Sequence, residues 1–238
     1  MKTNGKILIG IALLFINSAA CCWAQENKIS DILSKAEKIN SIYFETTETI
    51  AETPNFPQSF GDAIERTKIW FKKDYSRKEI MSESANAKKV IQVSLPKGVE
   101  YIYNSYSNKT EKFDWGPSFN SRFLELELKL TLLKKNKSLK VLGTETAGDK
   151  MATVLEIIYD LDGKEQKEKY WIWNDKGVPL KTETEANLAY FGMDSLKIKI
   201  VKEYKNYSFE NIPESIFDIA NIEEIKNSTI VTKGEDKK

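Results

Sequence analysis

The feature that most restricts the fold is a long succession of strand patterns separated by turn residues. Each stretch alternates between apolar and polar residues or is rich in β-branched and aromatic side chains. The stretches are Ser41–Ile50, Arg66–Asp74, Ala87–Leu95, Val99–Asn104, Thr110–Trp115, Ser138–Thr144, Met151–Asp160, Gln166–Trp173, Leu180–Asn187 and Leu196–Tyr207. Separators such as Asp162-Gly163 and Lys176-Gly177 are typical of hairpins, because glycine accepts the positive φ of a tight turn. The sequence therefore predicts a largely antiparallel sheet.

Two further segments are predicted to be helices. Between Glu26 and Ile42, apolar residues recur at three- and four-residue steps, as on the buried side of an amphipathic helix. The segment "FNSRFLELELKLTLLKK", from Phe119 to Lys135, is ambiguous, because its leucines fit both a strand alternation and a helical stripe. Its length, its content of Leu, Glu and Lys, and the preceding Pro117-Ser118 favour a helix.

The first 24 residues predict an export signal. A basic start precedes the apolar run Ile7–Ile16, and small residues follow up to Ala24, which is the layout of a secretory signal peptide. Cleavage after Ala24 would leave a mature chain without cysteine. The alternative is acylation of Cys21 or Cys22, which would make the protein an envelope lipoprotein.

The remainder is predicted to be one domain. No repeat, linker or change of composition divides residues 25–222, and residues 223–238 are polar enough to predict a disordered tail. The 36 basic and 35 acidic residues leave a net charge of +1, so nucleic acid is not an expected partner. Contact with a membrane is expected only through a lipid anchor or transiently.

Several common chemistries lack the residues that they need. The chain contains no histidine, which excludes imidazole bases and the commonest metal ligand. Its glycines stand singly, so no phosphate-binding loop is present. We expect no catalytic residue, no cofactor and no metal. A hydrolase that uses Asp and Glu is the least favoured alternative, because nothing in the sequence selects a pair of carboxylates.

Aromatic residues on the predicted strands need more cover than two helices provide. In Tyr170–Trp173, Tyr170 and Ile172 point to one face of a strand while Trp171 and Trp173 point to the other. Which pair points inward is not decided by the alternation. An open apolar concavity that binds an apolar ligand would account for the aromatic residues that the helices do not cover.

The order of elements carries a family resemblance. An export signal, an amphipathic helix, a run of strands with "KIWFKKDYSRKE", a leucine-rich helix, a second run with "YWIWNDKGVPLKTE" and the late "EYKNYSFENIPESIFDI" follow one another. This order resembles the outer-membrane lipoprotein carrier (LolA-like) superfamily, which includes lipoprotein-sorting and periplasmic sensor proteins. The resemblance implies an α+β fold: a strongly curved antiparallel sheet, an incomplete barrel, with helices covering its concave face and a hydrophobic cavity between them.

The resemblance also implies a function and a site. In the carriers the cavity holds lipoprotein acyl chains, and a basic residue after the "WFK"-like strand helps to hold a lid shut. Lys73 stands at that position, where the carriers have arginine with its planar, bidentate group. We expect the cavity to be lined by Ile69, Phe71, Ile91, Val93, Tyr101, Tyr103, Leu126 and Leu130.

The leading hypothesis is therefore a non-catalytic, exported bacterial envelope protein that binds lipid or lipoprotein acyl chains. It would be located in the periplasm, or at a membrane if Cys21 or Cys22 is acylated. The alternative is an interaction or sensor module of the same fold, whose cavity is filled by its own side chains and whose partner is another envelope protein.

Overall fold

The computed structural model describes residues 27–51, 65–83, 88–116, 138–161, 164–187 and 197–233. Helix α1 covers residues 27–37, and the short helix α2 covers Glu223–Lys226. The strands are β1 Ser41–Ala51, β2 Glu65–Lys72, β3 Tyr75–Ser82, β4 Lys89–Leu95, β5 Val99–Asn104, β6 Lys109–Asp114, β7 Ser138–Ala147, β8 Lys150–Leu161, β9 Lys164–Trp173, β10 Pro179–Asn187, β11 Lys197–Ser208 and β12 Thr229–Thr232. No helix within these residues is both long enough and apolar enough to span a membrane.

All strands of the described chain belong to one sheet. Their spatial order is β12-β6-β5-β4-β3-β2-β1-β11-β10-β9-β8-β7, so that the first and second runs of strands meet where β1 pairs with β11. Every neighbouring pair is antiparallel except β12 and β6, which are parallel. The edges β12 and β7 do not pair with each other, and the curved sheet is an incomplete barrel. The predicted fold class is confirmed.

The predicted strands are present to within a few residues at each end, but β3 and β12 were missed. Strand β3 has the sequence "YSRKEIMS", which lacks a run of β-branched residues and carries charged side chains on both faces. Its neighbours β2 and β4 supply the pairing that its own composition does not predict. Leu196 and the predicted Asp162-Gly163 turn lie outside the described residues.

Cross-strand pairing assigns each side chain to one of two faces. Ile42 is opposite Phe71, and Phe44 is opposite Ile69, so these four side chains share the concave face. Tyr43 is opposite Trp70 on the convex face. Because the pairing continues without a break from β1 through β2, β3, β4 and β5, the same assignment holds across half of the sheet.

Helix α1 lies on the concave face. Ile32 is buried in an apolar cluster with Leu155, Ile157, Tyr170 and Ile172, and Ile29 packs against the same cluster. This contact shows that Tyr170 and Ile172 point inward, since both are buried under the helix. Trp173 departs from the alternation: it is the last residue of β9, and it packs against the concave-face cluster of Ile42 and Phe44. The helical stripe was predicted to reach Ile42, but the helix ends at residue 37 and Ile42 is a buried residue of β1.

The opposite side of β9 and β10 is covered by lysine side chains. The Trp171 indole N–H donates to Glu145 at 2.8 Å, and the Lys181 amine lies 4.8 Å from the centre of the Trp171 ring. Lys181 and Lys199 both pair with Glu183, at 2.7 and 2.8 Å. Long lysine stems therefore cover the aromatic surface on the convex face, while their amines face water.

The C-terminal segment, residues 212–233, covers the convex face of the other half of the sheet. Its buried residues Ile212, Phe217, Ile222 and Ile225 form one apolar cluster with residues of β4 and β5. This corrects the prediction of a disordered tail from residue 223, since α2 and β12 follow. The average polarity of the tail concealed Ile225, whose burial fixes α2 to the sheet. Helices therefore lie on both faces: α1 on the concave face and α2 on the convex face.

Candidate functional site

The structure does not bring the predicted cavity residues to one face. Ile69 and Phe71 lie on the concave face, where both are buried. Four others lie on the convex face, in or against the cluster that the C-terminal segment covers: Ile91, Val93, Tyr101 and Tyr103. Leu126 and Leu130, with the predicted mid-chain helix, lie outside the described residues, as does Cys21. Because they lie on opposite faces of one sheet, the described candidates do not line a single cavity.

An open groove is present at the end of the concave face where α1 meets β1. Its volume is about 500 Å³, within the roughly 300–1,000 Å³ of small-molecule sites. The lining residues are Lys35, Lys38, Ile39, Asn40, Ser41, Asp175, Lys176, Phe209 and Asn211. They come from the end of α1, the start of β1, the β9–β10 turn and the chain after β11. We call this the α1 groove.

The apolar surface of the α1 groove continues into the concave face. Ile39 and Phe209 line the groove and also pack against the cluster of Ile42, Phe44 and Phe71. The Phe209 ring is stacked 5.9 Å from the Tyr207 ring. Aromatic and aliphatic side chains thus form one connected surface from the groove to the sheet.

Two further aromatic contacts extend this surface. The Trp173 ring lies 6.1 Å from the Phe209 ring, and the Tyr207 ring lies 5.4 Å from the Phe44 ring. The Tyr207 hydroxyl donates to the Pro179 carbonyl oxygen, which removes its polar end from the apolar surface. Trp173, Tyr207 and Phe209 are only partly buried, whereas the residues beneath them are buried. Of the three, Phe209 lines the groove and is the aromatic side chain that a ligand there would meet first.

The rim of the α1 groove is basic. The Lys35 amine donates to Asp31 at 2.6 Å and to the Asn174 carbonyl at 2.8 Å. Lys38 and Lys176 are exposed and form no salt bridge with any residue that the structure describes, and the Lys176 amine lies 4.9 Å from the centre of the Phe209 ring. Asp175 is the one acidic residue among those that line the groove.

The predicted lid-related residue Lys73 lies beside this groove. It occupies the β2–β3 turn with a φ of 48°, and its backbone N–H donates to the Asn40 carbonyl oxygen at 3.0 Å. Asn40 itself lines the groove. The backbone of Lys73 therefore fixes one wall of the groove, whereas the role of its amine in a lid stays a prediction.

Two carboxylates, Glu100 and Glu168, are buried on the concave face. Glu100 accepts hydrogen bonds from Gln92 at 2.6 Å, Ser94 at 3.2 Å and Trp115 at 3.1 Å. Glu168 accepts from Tyr159 at 2.9 Å and from Tyr170. Each carboxylate is thus engaged by its neighbours, which is typical of a structural role for a buried polar group.

The positions of these carboxylates do not suggest a catalytic pair. Glu100 is on β5 and Glu168 is on β9, and six strands lie between them in the sheet. Burial, followed by the charge of Glu168, raises the pKa of Tyr170 and of Tyr159 above the usual value for a phenol. Among the described residues, no group of three or more Cys, Asp and Glu side chains is placed to hold a metal ion.

Sequence reasoning did not find the α1 groove. Ile39 falls within the apolar stripe between Glu26 and Ile42, and Phe209 falls within the segment "EYKNYSFENIPESIFDI". The available signal was the position of Ile39 after the helix end, with lysines at 35 and 38 on the same turn. The groove depends on the contact of three separate chain segments, and no local pattern records that contact.

No protein-family model and no curated protein matches the sequence. Three solved structures illustrate what the chain is similar to. A LolA superfamily protein from Nitrosomonas europaea has a TM-score of 0.35 and 15% identity, over 79% of this chain and 96% of that one. The lipoprotein LppX from Mycobacterium tuberculosis has a TM-score of 0.43 and 12% identity, over 79% and 96%. The MucA/MucB complex from Pseudomonas aeruginosa has a TM-score of 0.45 and 12% identity, over 80% and 60%. A LolA superfamily protein is thus among the solved structures to which this chain is similar.

Proposed function

We propose that the protein is a non-catalytic, exported envelope protein that binds the acyl chain of a lipid or lipoprotein at the α1 groove. The observation that carries the proposal is the continuity between the groove and the aromatic surface of the concave face. Ile39 and Phe209 belong to both. An acyl chain that enters between them would pass along Phe209 and Tyr207 toward Phe44.

The size of this surface suits a ligand that binds through apolar contact. Burying roughly 200 Å² of acyl surface would contribute about 5 kcal/mol before the costs of association, at about 25 cal/mol per Å². The side chains of Trp173, Tyr207 and Phe209 are only partly buried, and they lie at the ends of β9 and β11 and just after β11. Ile69 and Phe71, which were predicted to line the cavity, lie beneath them.

The test is uptake of a fluorescent fatty acid by the full-length protein, together with native mass spectrometry and lipid extraction of the protein purified from envelope. We expect co-purified acyl chains and saturable uptake. Phe209→Ser should weaken uptake at least tenfold. Tyr106→Ser is the matched control, since Tyr106 is 84% exposed in the turn between β5 and β6. An empty protein that takes up no fatty acid would refute the proposal.

A second candidate function, an interaction or sensor module, is supported by the burial of the residues that were predicted to line the cavity. The described candidates Ile91, Val93, Tyr101 and Tyr103 face the C-terminal segment, and Ile69 and Phe71 are already buried by the protein's own side chains. A sheet that fills its own concavity suits an interaction or sensor module with another envelope protein as partner. This candidate predicts no uptake in the test above. It also predicts that a photoreactive group at position 209 crosslinks to one envelope protein, whereas a group at position 106 does not.

A further inference from the structure

We propose that Lys38 and Lys176 bind the anionic group, a phosphate or carboxylate, of the amphiphile whose chain occupies the α1 groove. This inference rests on the proposed function, because the chain in the groove is what brings the anionic group to the rim. It adds a headgroup preference that apolar contact alone does not supply.

The first argument concerns which rim charges are available. The Lys35 amine is engaged by Asp31 and by the Asn174 carbonyl, so it holds the β9–β10 turn against α1. Lys38 and Lys176 form no salt bridge within the described part of the chain. Two lysines among the residues that line an apolar groove form the arrangement that an amphiphile with a negative head would complement.

The second argument concerns the position of one amine. Lys176 lies over the face of Phe209, at 4.9 Å from the ring centre, and this contact holds a cation in place. The same ring lines the groove. A ligand chain on Phe209 would therefore place its first polar atoms beside the Lys176 amine.

The third argument excludes a cationic headgroup. Two aromatic rings of this surface already carry lysines, since Lys176 lies over Phe209 and Lys150 lies 5.2 Å from the centre of Trp173. Asp175 is the acidic residue of the lining and opposes an anion. The net charge of Lys38, Lys176 and Asp175 still favours an anion, and Asp175 provides a variant that should improve binding.

The experiment compares three amphiphiles with the same chain, measured by calorimetry on the full-length protein below their micelle concentrations. They are decyl phosphate, decyl maltoside and decyltrimethylammonium, and inorganic phosphate is the fourth probe. We expect decyl phosphate to bind about three- to tenfold more tightly than decyl maltoside at low ionic strength, and decyltrimethylammonium to bind more weakly than both. The preference should largely disappear at about 0.5 M salt, because exposed charges are screened.

Variants of the charged residues that line the groove distinguish an effect of charge on binding from a loss of folded structure. Lys38→Gln combined with Lys176→Gln should remove the preference for decyl phosphate but leave decyl maltoside binding unchanged. Asp175→Asn should tighten decyl phosphate binding by about two- to fivefold, a gain that loss of structure cannot produce. Lys140→Gln combined with Lys226→Gln is the matched control, since both lysines are exposed and lie away from the groove.

The outcomes distinguish the two proposals. Equal binding of decyl phosphate and decyl maltoside to the unmodified protein would overturn the headgroup inference and leave acyl binding intact. Failure of all three amphiphiles would overturn both. Binding of inorganic phosphate as tight as that of decyl phosphate would show a site for a free anion and would overturn the acyl-chain proposal.

Discussion

Gly177 lies so close to α1 that a Cβ atom at this position would overlap the carbonyl oxygen of Ile32. The added atom would also lie 3.0 Å from the Ala36 amide nitrogen. Gly177 has a φ of +71°, and its N–H donates to the Trp173 carbonyl at 2.8 Å, closing the β9–β10 turn. One residue thus meets two requirements, a left-handed backbone and the absence of a side chain, and it sets the distance between the turn and the helix.

We expect Gly177→Ala to destabilise the protein by about 2–4 kcal/mol, because backbone strain and steric overlap add. The matched control is Gly148→Ala, at a φ of +65° with no atom within 4 Å of the added Cβ. That variant carries only the strain, about 1–2 kcal/mol. The measurement is the free energy of unfolding in urea. If the two variants lose the same unfolding free energy, α1 moves away from the turn at little cost in stability.

The C-terminal segment is expected to be a structural part of the domain. Phe217 is 0% exposed and its ring lies 5.3 Å from the Tyr75 ring on the convex face. We expect Phe217→Ala to cost about 3–5 kcal/mol, as for other buried aromatic residues, and Ile216→Ala, at a half-buried neighbour, to cost clearly less. Urea unfolding followed by tryptophan fluorescence measures both. A loss below about 1 kcal/mol for Phe217→Ala would show that the segment is only loosely attached.

The C-terminal segment and β4 are joined by an ion pair between Glu224 and Lys89. The contribution of this ion pair to the free energy of unfolding should decrease at acid pH. The hydrogen bond from Lys89 lowers the pKa of Glu224 below its ordinary value of 4.5. A carboxylate whose pKa is lowered by folding stabilises the folded state above its unfolded pKa, and that contribution is lost as the pH falls through the folded pKa. At Lys89, burial lowers the pKa, but the hydrogen bond and charge of Glu224 and Glu79 outweigh it, so the pKa is raised.

We therefore expect the stability difference between the unmodified protein and Glu224→Gln to be constant from about pH 5 to 9 and to shrink below pH 4.5. Its size at neutral pH should not exceed about 1 kcal/mol, because both groups are partly exposed. Unfolding free energies in urea across this pH range provide the measurement. A difference that grows toward acid pH would have the wrong sign and would contradict this account.

Three tyrosines are expected to resist ionisation while the protein is folded. Burial, which is the largest cause, raises the pKa of Tyr43, Tyr159 and Tyr170, and the neighbouring carboxylates Glu45 and Glu168 add to it. Because folding raises these values, their contribution to stability is present below the unfolded pKa of about 10 and is lost as the pH rises further. In ultraviolet titration, we expect part of the absorbance change of the 10 tyrosines to appear only on alkaline unfolding. The urea-denatured protein is the control, and complete titration of the folded protein near pH 10 would contradict the expectation.

The sequence predicted the elements of this fold better than the assignment of its faces. Alternation within β4 and β5 correctly indicates that Ile91 and Val93 share a face, and that Tyr101 and Tyr103 do so as well. It does not relate these strands to Phe71 on β2, because that relation depends on the register of β3, which was not predicted. The prediction of a single cavity combined residues from opposite faces for this reason.

Local sequence patterns also did not predict which segments pack on each face of the sheet. The apolar residues of the C-terminal segment, which include Ile212, Phe217, Ile222 and Ile225, recur at short intervals, but their spacing does not indicate that they cover β4 and β5. Gly177 was predicted as a turn residue from its dipeptide, whereas its contact with α1 joins positions far apart in the sequence. Local patterns predict which residues are buried, and only pairing and long-range contacts determine what buries them.

The position of the C-terminal segment has a consequence for the order in which the molecule is completed. A chain is synthesised from its N-terminus, so β4 and β5 emerge well before residues 212–233 that cover their convex face. Until residues 212–225 pack against the sheet, Ile91 and Val93 lack the side chains that bury them on this face. The cover of this convex face therefore forms only after residues 212–233 have been synthesised.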